Sequence, residues 1–148
     1  MKYFLDANVL IDLANESDTA DAVAAGLDRA GARNCALSAI TVEELQRGVL
    51  TGPGAKKGYE VRNLKALLSR FRQLDFSVDA ARRAASVRVQ VESLKPAKGR
   101  RPPGINDMLL AGHALALGRC LVTSDRGFTL ITELVCDNWR MMPATGKT

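Results

Sequence analysis

Short apolar runs that stop on an acid constrain this chain more than any other feature. KYFL runs directly into Asp6 and CLVTS directly into Asp125, while Glu44 stands in SAITVEELQRG and Asp107 opens the apolar stretch NDMLLAGHALALG. Residues 2–5, 35–37, a segment around Phe76, 120–122 and 135–139 read as short strands. Helical spacing of apolar residues covers 19–30, a segment from about Thr41 to the TGPG stop at 51–54, 59–74, 79–94 and 106–117. Asn8 caps a helical turn running to Leu13, and Gly31 and Gly118 stand where two helices should stop. Strands alternating with helices argue for an α/β fold, a parallel sheet covered by helices on both faces. In such a sheet the ligand crevice lies at the carboxyl ends of the strands, which is where these acids fall.

Carboxylates gathered in one crevice raise each other's proton affinity, and a divalent cation with oxygen ligands relieves them. The pattern therefore reads as a Mg²⁺ or Mn²⁺ site acting on a phosphate ester. Asp6 ends a buried strand, and Asn8 is placed to hold its carboxylate or the next backbone turn. Asp12 reads as a solvated surface charge. Glu43 and Glu44 are adjacent, and periodicity alone does not choose between them. Asp107 lies in a first helical turn, where an anion is favoured. Thr123 and Ser124 bring hydroxyls to the strand end that carries Asp125. His113 is the only histidine; it lies about 240° around the helix from Asp107 and reads as a packing or surface residue. No serine nucleophile elbow, glycine-rich phosphate loop or zinc-ligand spacing occurs. A phosphatase with a nucleophilic Asp would want a second Asp at position 8, which is Asn.

Charge supports the same class of substrate. Residues 56–101 hold 13 of the 21 Lys and Arg but only 4 of the 16 Asp and Glu, a balance of +9 against −4 for the rest. A basic surface beside an acidic site suits a polyanion, and Arg100 and Arg101, in the KPAKGRRPPG loop just before Asp107, are the first candidates for its contacts. Residues 1–142 read as one domain, with 143–148 a disordered tail. Cys35, Cys120 and Cys136 lack ligand spacing and read as reduced, buried thiols of a cytoplasmic protein. No apolar run is long enough for a membrane span.

The four acidic blocks, in order, resemble those of the PIN-domain ribonucleases, and among them the VapC-type toxins of bacterial toxin–antitoxin pairs. LDANVLIDL is similar to their first motif, SAITVEELQRG to the second, NDMLLAGHALALG to the third and LVTSDRGF to the fourth. In the second motif the functional acid directly precedes Leu, which selects Glu44 over Glu43. The resemblance implies a PIN-like α/β/α sandwich with a central parallel sheet of about five strands. It also implies a Mg²⁺- or Mn²⁺-dependent endoribonuclease that cleaves RNA by metal-activated water, with Asp6, Glu44, Asp107 and Asp125 catalytic and Asp6, Asp107 and Asp125 holding metal. A homodimer and a small co-encoded antitoxin belong to the same expectation. An Arg of the antitoxin would enter the crevice, and an apolar helix of it would lie along Val9, Leu10 and Leu13. Two alternatives stay open: a PIN-type nuclease for RNA maturation or quality control without an antitoxin, and a non-catalytic domain that binds nucleic acid or protein.

Overall fold

A computed structural model describes residues 1–15, 18–51, 61–94 and 101–141. Five parallel strands, β1 (Tyr3–Leu5), β2 (Cys35–Ser38), β3 (Arg72–Leu74), β4 (Cys120–Val122) and β5 (Cys136–Asp137), lie in the order β3-β2-β1-β4-β5. The chain builds outward from β1 to β3 on one side, then crosses to β4 and β5 on the other. The order reverses between β1 and β4, so the crevice of the sheet opens at their carboxyl ends.

Period-two alternation sends the strands' side chains into two apolar layers. Leu5, Leu37 and Val122 face one layer, with Val9 and Leu10 of α1 (Ala7–Ala14), Val23 and Leu27 of α2 (Asp18–Ala30), Leu45 of α3 (Ala39–Leu50), and Leu64 and Leu68 of α4 (Val61–Arg70). Phe4, Ala36 and Leu121 face the other, with Val87 and Val91 of α5 (Val78–Glu92) and Met108, Leu110, Ala111 and Ala114 of α6 (Ile105–Leu117). The five-stranded parallel sandwich is as anticipated. Val9 and Leu10, however, are at most 3% exposed. They belong to the core and cannot wall an external groove.

Several boundaries differ from the sequence reading for local reasons. Asp6, not Asn8, caps α1, accepting from the Ala7 N–H at 2.8 Å. Ser38 caps α3 and so starts it two residues before Thr41; Ser77 likewise caps α5. The third strand is Arg72–Leu74, taken from the end of the anticipated 59–74 helix, and Phe76 lies beyond it. Only Leu74 of that edge strand is even half-buried, so it has no apolar run to announce it, while Phe71 sits in the core at helical spacing from Leu64 and Leu68. A 3-10 turn follows β4 at Arg126–Leu130, and the last strand is two residues long. Residues 59–60, Arg100 with the rest of 95–100, and the tail 142–148 lie outside the described residues. Gly118 ends α6 in the left-handed region at φ 63°, as a helix stop requires. No described helix is long and apolar enough to cross a membrane.

Asp12 also departs from expectation. It is 5% exposed, and Arg140 donates to both its carboxylate oxygens, Nη2 to Oδ1 at 2.7 Å. This bidentate pair fastens the end of the described chain to α1, and next to it Trp139 packs over Gly26 and edge-on to Tyr3. The partner is 128 residues away in sequence, so no local pattern reveals it. The three thiols are free; burial pushes Cys35 up to about 11 and Cys120 up to about 12, which keeps them unreactive.

Helices α5 and α6 pack closely because Gly112 has no side chain. A Cβ there would lie 2.4 Å from the backbone nitrogen of Ala84 and 2.5 Å from its Cα. Backbone cannot yield as a flexible side chain can. Gly112→Ala should therefore destabilise the protein by about 1–3 kcal/mol, overpacking outweighing the gain in helix propensity. Urea denaturation checks this; a stability equal to or above wild type would show the helices free to separate.

Candidate active site

Asp6 leaves β1 at the point where the sheet order reverses. It is 6% exposed, and three donors are aimed at its carboxylate. The Ala7 N–H donates to Oδ1; the Thr123 hydroxyl donates to Oδ2 at 2.7 Å and the Asn8 amide to the same oxygen at 3.2 Å. Asn8 also donates to Thr123 Oγ1 at 3.3 Å, while its own carbonyl accepts from the Ser124 N–H at 3.4 Å. Asn8 thus ties the turn after β1 to the turn after β4. The Asp125 N–H donates to Thr123 Oγ1 at 3.1 Å, so one hydroxyl links the first acid to the fourth. Ser124 joins this network through its backbone.

Asp107 is half-buried in the first turn of α6, where Oδ2 accepts from the Gly104 N–H at 3.2 Å and closes the turn. Asp125 is exposed and accepts from the Gly127 N–H through Oδ1 at 2.8 Å. No hydrogen bond engages Asp107 Oδ1 or Asp125 Oδ2 among the described residues. Glu44 lies on α3, one residue before the buried Leu45.

The electrostatics join these groups into one site. Burial raises the proton affinity of Asp6; its bonds from Thr123 and Ala7 oppose this, and repulsion from Asp107 and Asp125 adds to it. Burial raises Glu44, and Asp6, Asp107 and Glu43 raise it further. Burial raises Asp107, Gly104 opposes, and Asp125 adds to the rise. Asp6 and Asp107 both raise Glu44, which puts it within electrostatic reach of those acids.

Two cations border the cluster. Arg101 lowers Asp107 by its charge, and its carbonyl lies 3.7 Å from where a Cβ on Gly127 would sit, so its loop overlies the Asp125 turn. Arg47, one helical turn after Glu44, lowers that group. Sequence reasoning passed over Arg47; its i+3 spacing from Glu44 was the available signal. By contrast Arg82, Arg83 and Arg88 of α5 each pair with an acid (Asp79, Glu133 and Glu92), at exposed positions. Those members of the basic segment form solvated helix faces.

The donors fit a hard divalent cation. All are carboxylate oxygens. Among the described residues no three His, Cys, Asp or Glu side chains close into a metal cage, and Mg²⁺ needs none: it commonly takes one or two carboxylates and keeps several waters. Asp6 offers a carboxylate already fixed in place, and Asp107 and Asp125 each keep one oxygen unengaged.

The sequence model of the PIN domain matches residues 3–134. Ribonuclease VapC2 of Rickettsia felis is 33% identical over 141 residues, which span 94% of this chain and 98% of that protein. The crystal structure of VapBC2 from Rickettsia felis bound to a DNA fragment from their promoter superposes with a TM-score of 0.76 at 31% identity, covering 94% of this chain and 99% of that one. DNA-bound VapBC from Salmonella typhimurium gives 0.73 at 27% identity, over 94% and 98% of the two chains. Sequence and fold place this chain in the PIN domain family, among its VapC-type members.

Proposed function

We propose that this protein is a metal-dependent endoribonuclease and the toxin of a type II toxin–antitoxin pair. The observation that carries the reading is placement: Asp6, Glu44, Asp107 and Asp125 come from four separate segments and lie within electrostatic reach of one another near the carboxyl ends of β1 and β4. Likeness to a ribonuclease over nearly the full length of both chains supports RNA as the substrate. Likeness to VapBC complexes supports a small antitoxin as partner and favours a toxin over a PIN-type nuclease without one.

Asp6, Asp107 and Asp125 would hold Mg²⁺ or Mn²⁺. A divalent cation held there would supply Lewis acidity for a phosphate oxygen and for activating water near neutral pH. Thr123 and Asn8 keep Asp6 oriented, so that the carboxylate does not have to reorganise during reaction. Glu44, less firmly ionised than a free carboxyl, orients the attacking water and takes its proton. Arg101 and Arg47 draw the RNA backbone across the acids. Before RNA arrives, an Arg of the antitoxin would answer the same negative charge with charge-assisted, bidentate bonds.

Purified protein should cleave RNA only when Mn²⁺ or Mg²⁺ is added, and Asp6→Asn should cut cleavage by at least a hundredfold with an unchanged circular dichroism spectrum. Expression of wild type should arrest growth, the co-encoded partner should relieve the arrest, and Asp6→Asn with Asp107→Asn should be harmless. Wild-type cleavage by Asp6→Asn, or toxicity of the double variant, would remove the site or the toxin role respectively.

Metal and protons should compete. Asp6 and Asp107 are raised from an ordinary 3.8, and Glu44 from 4.5. Between those ordinary values and the raised ones, the metal-free native state binds more protons than the unfolded chain. These groups therefore destabilise the apo protein as pH rises through that window, and acidification relieves them. Mn²⁺ binds the ionised forms, so its stabilisation should be full at neutral pH and shrink as pH falls through the window. Melting curves with and without Mn²⁺ from pH 4.5 to 7.5 test this. A constant Mn²⁺ increment would place the ion away from these acids.

Arg101→Ala with Arg47→Ala should weaken RNA binding similarly across sequences and flatten its salt dependence by roughly one to two released counterions. Binding measured from 50 to 300 mM salt with an unchanged slope would return both residues to the solvated surface. Arg100 belongs to the same proposal, although it lies outside the described residues.

A further inference from the structure

His113 is 1% exposed and has no part in the chemistry above. Its Nδ1 lies 2.8 Å from the hydroxyl of Ser38, which is fully buried. Ser38 is the last residue of β2 and the N-cap of α3, and its Oγ already accepts from the Ile40 N–H at 3.1 Å. The hydroxyl keeps its proton and a second lone pair, so it can donate to Nδ1 or accept from it, as the ring's tautomer dictates. Burial favours the neutral imidazole, and with Ser38 as the donor its proton lies on Nε2. Phe4, with its ring centroid 4.8 Å away, and Phe76, edge-on at 5.4 Å, hold the ring in place.

One hydroxyl therefore caps the helix that carries Glu44 and grips the helix that carries Asp107. Glu44 lies six residues beyond Ser38, Asp107 six residues before His113, and α3 packs against α6. A leucine at 113 would fill core space without the desolvation cost of a buried imidazole. A polar pair in its place fixes one relative setting of the two helices, the best-attested use of buried polar contacts.

We propose that the Ser38–His113 hydrogen bond is a positioning device, holding Glu44 and Asp107 at their working separation across the crevice. The proposal rests on the reading of both acids as catalytic. Neither Ser38 nor His113 touches substrate.

Because His113 is the only histidine, its ring nitrogens give unambiguous NMR signals. At pH 7.5 they should show Nε2 protonated and Nδ1 as a hydrogen-bonded acceptor, and Ser38→Ala should shift Nδ1. His113→Leu should shift the amides of Ile40 and Glu44 on the other helix. In cleavage assays with Mn²⁺, Ser38→Ala and His113→Leu should each lower kcat about tenfold with KM within twofold. The double variant should be no worse than the poorer single one, since both remove the same bond, and Ser38→Thr should restore most of the activity. A lower melting temperature with unchanged kcat would make His113 a packing residue and overturn the proposal. So would multiplicative losses in the double variant, or Ile40 and Glu44 amides that ignore position 113. Should wild type fail to cleave RNA, the nuclease reading fails on its own, and the amide shifts alone decide whether the bridge sets α3 against α6.

Discussion

The whole molecule is arranged around repulsion that the chain does not itself relieve. Asp6 is buried among neutral donors: two side chains and a backbone N–H point at it, and none of the three carries a charge. Neutral donors orient a carboxylate and offset part of its desolvation, but they do not cancel its field. Asp107 and Asp125 meet that field from other segments, and each adds to the difficulty of ionising Asp6. The result is a set of fixed negative groups that any incoming cation would stabilise. A site arranged this way has its binding energy prepared before the ligand arrives, which is the sense in which preorganisation favours catalysis.

Such a site costs stability, and the fold supplies it elsewhere. The sheet contributes one apolar side chain to each layer in turn, and helices cover both faces. The close approach of α5 to α6, Gly112 against the backbone of Ala84, lies on α6, the helix whose first turn carries Asp107. The other strong anchor, Asp12 with Arg140, holds the end of the described chain against α1, which Asp6 begins. Rigid packing thus backs both buried acids from within their own elements. The acids at the rim, Glu44 and Asp125, are exposed, where conformational freedom is tolerable and solvent moderates the charge.

What could be read from the residues follows from the range of the interaction concerned. The strands β1, β2 and β4 are continuous apolar runs because both their faces are covered, and so they were visible together with the acids at the ends of β1 and β4. The edge strand β3 has the sequence Arg-Gln-Leu; an edge needs no such run, and the helical spacing of Phe71 concealed it. Cap residues mark helix starts locally, yet the candidates at 6 and 8 compete, and only the fold shows that Asp6 caps α1 while Asn8 reaches across to Thr123. The partnerships of Asp12 with Arg140, and of Ser38 with His113, span 128 and 75 residues. No periodicity encodes pairings of that kind, and both residues read as unremarkable without their partners.

The arginines complete the electrostatic argument. Those of α5 pair with acids along their own helix or across to Glu133, at positions where solvent leaves each pair a weak contribution to stability. Arg47 and Arg101 stand beside the acidic cluster, close enough to lower Glu44 and Asp107, yet neither forms an ion pair with a described residue. Had they closed onto those carboxylates, the crevice would be self-neutralised and would offer little to a divalent cation. Held at the border, they leave the negative field intact at the acids while presenting positive charge to a polyanion. On the proposed reading a metal ion and a phosphate backbone would need opposite fields within one crevice, and the separation of Asp6, Asp107 and Asp125 from Arg47 and Arg101 would supply both. It also defines what an inhibitor must bring. A guanidinium carried by a partner, placed where the chain's own arginines do not reach, would satisfy the acids directly and remove the reason for a metal to bind.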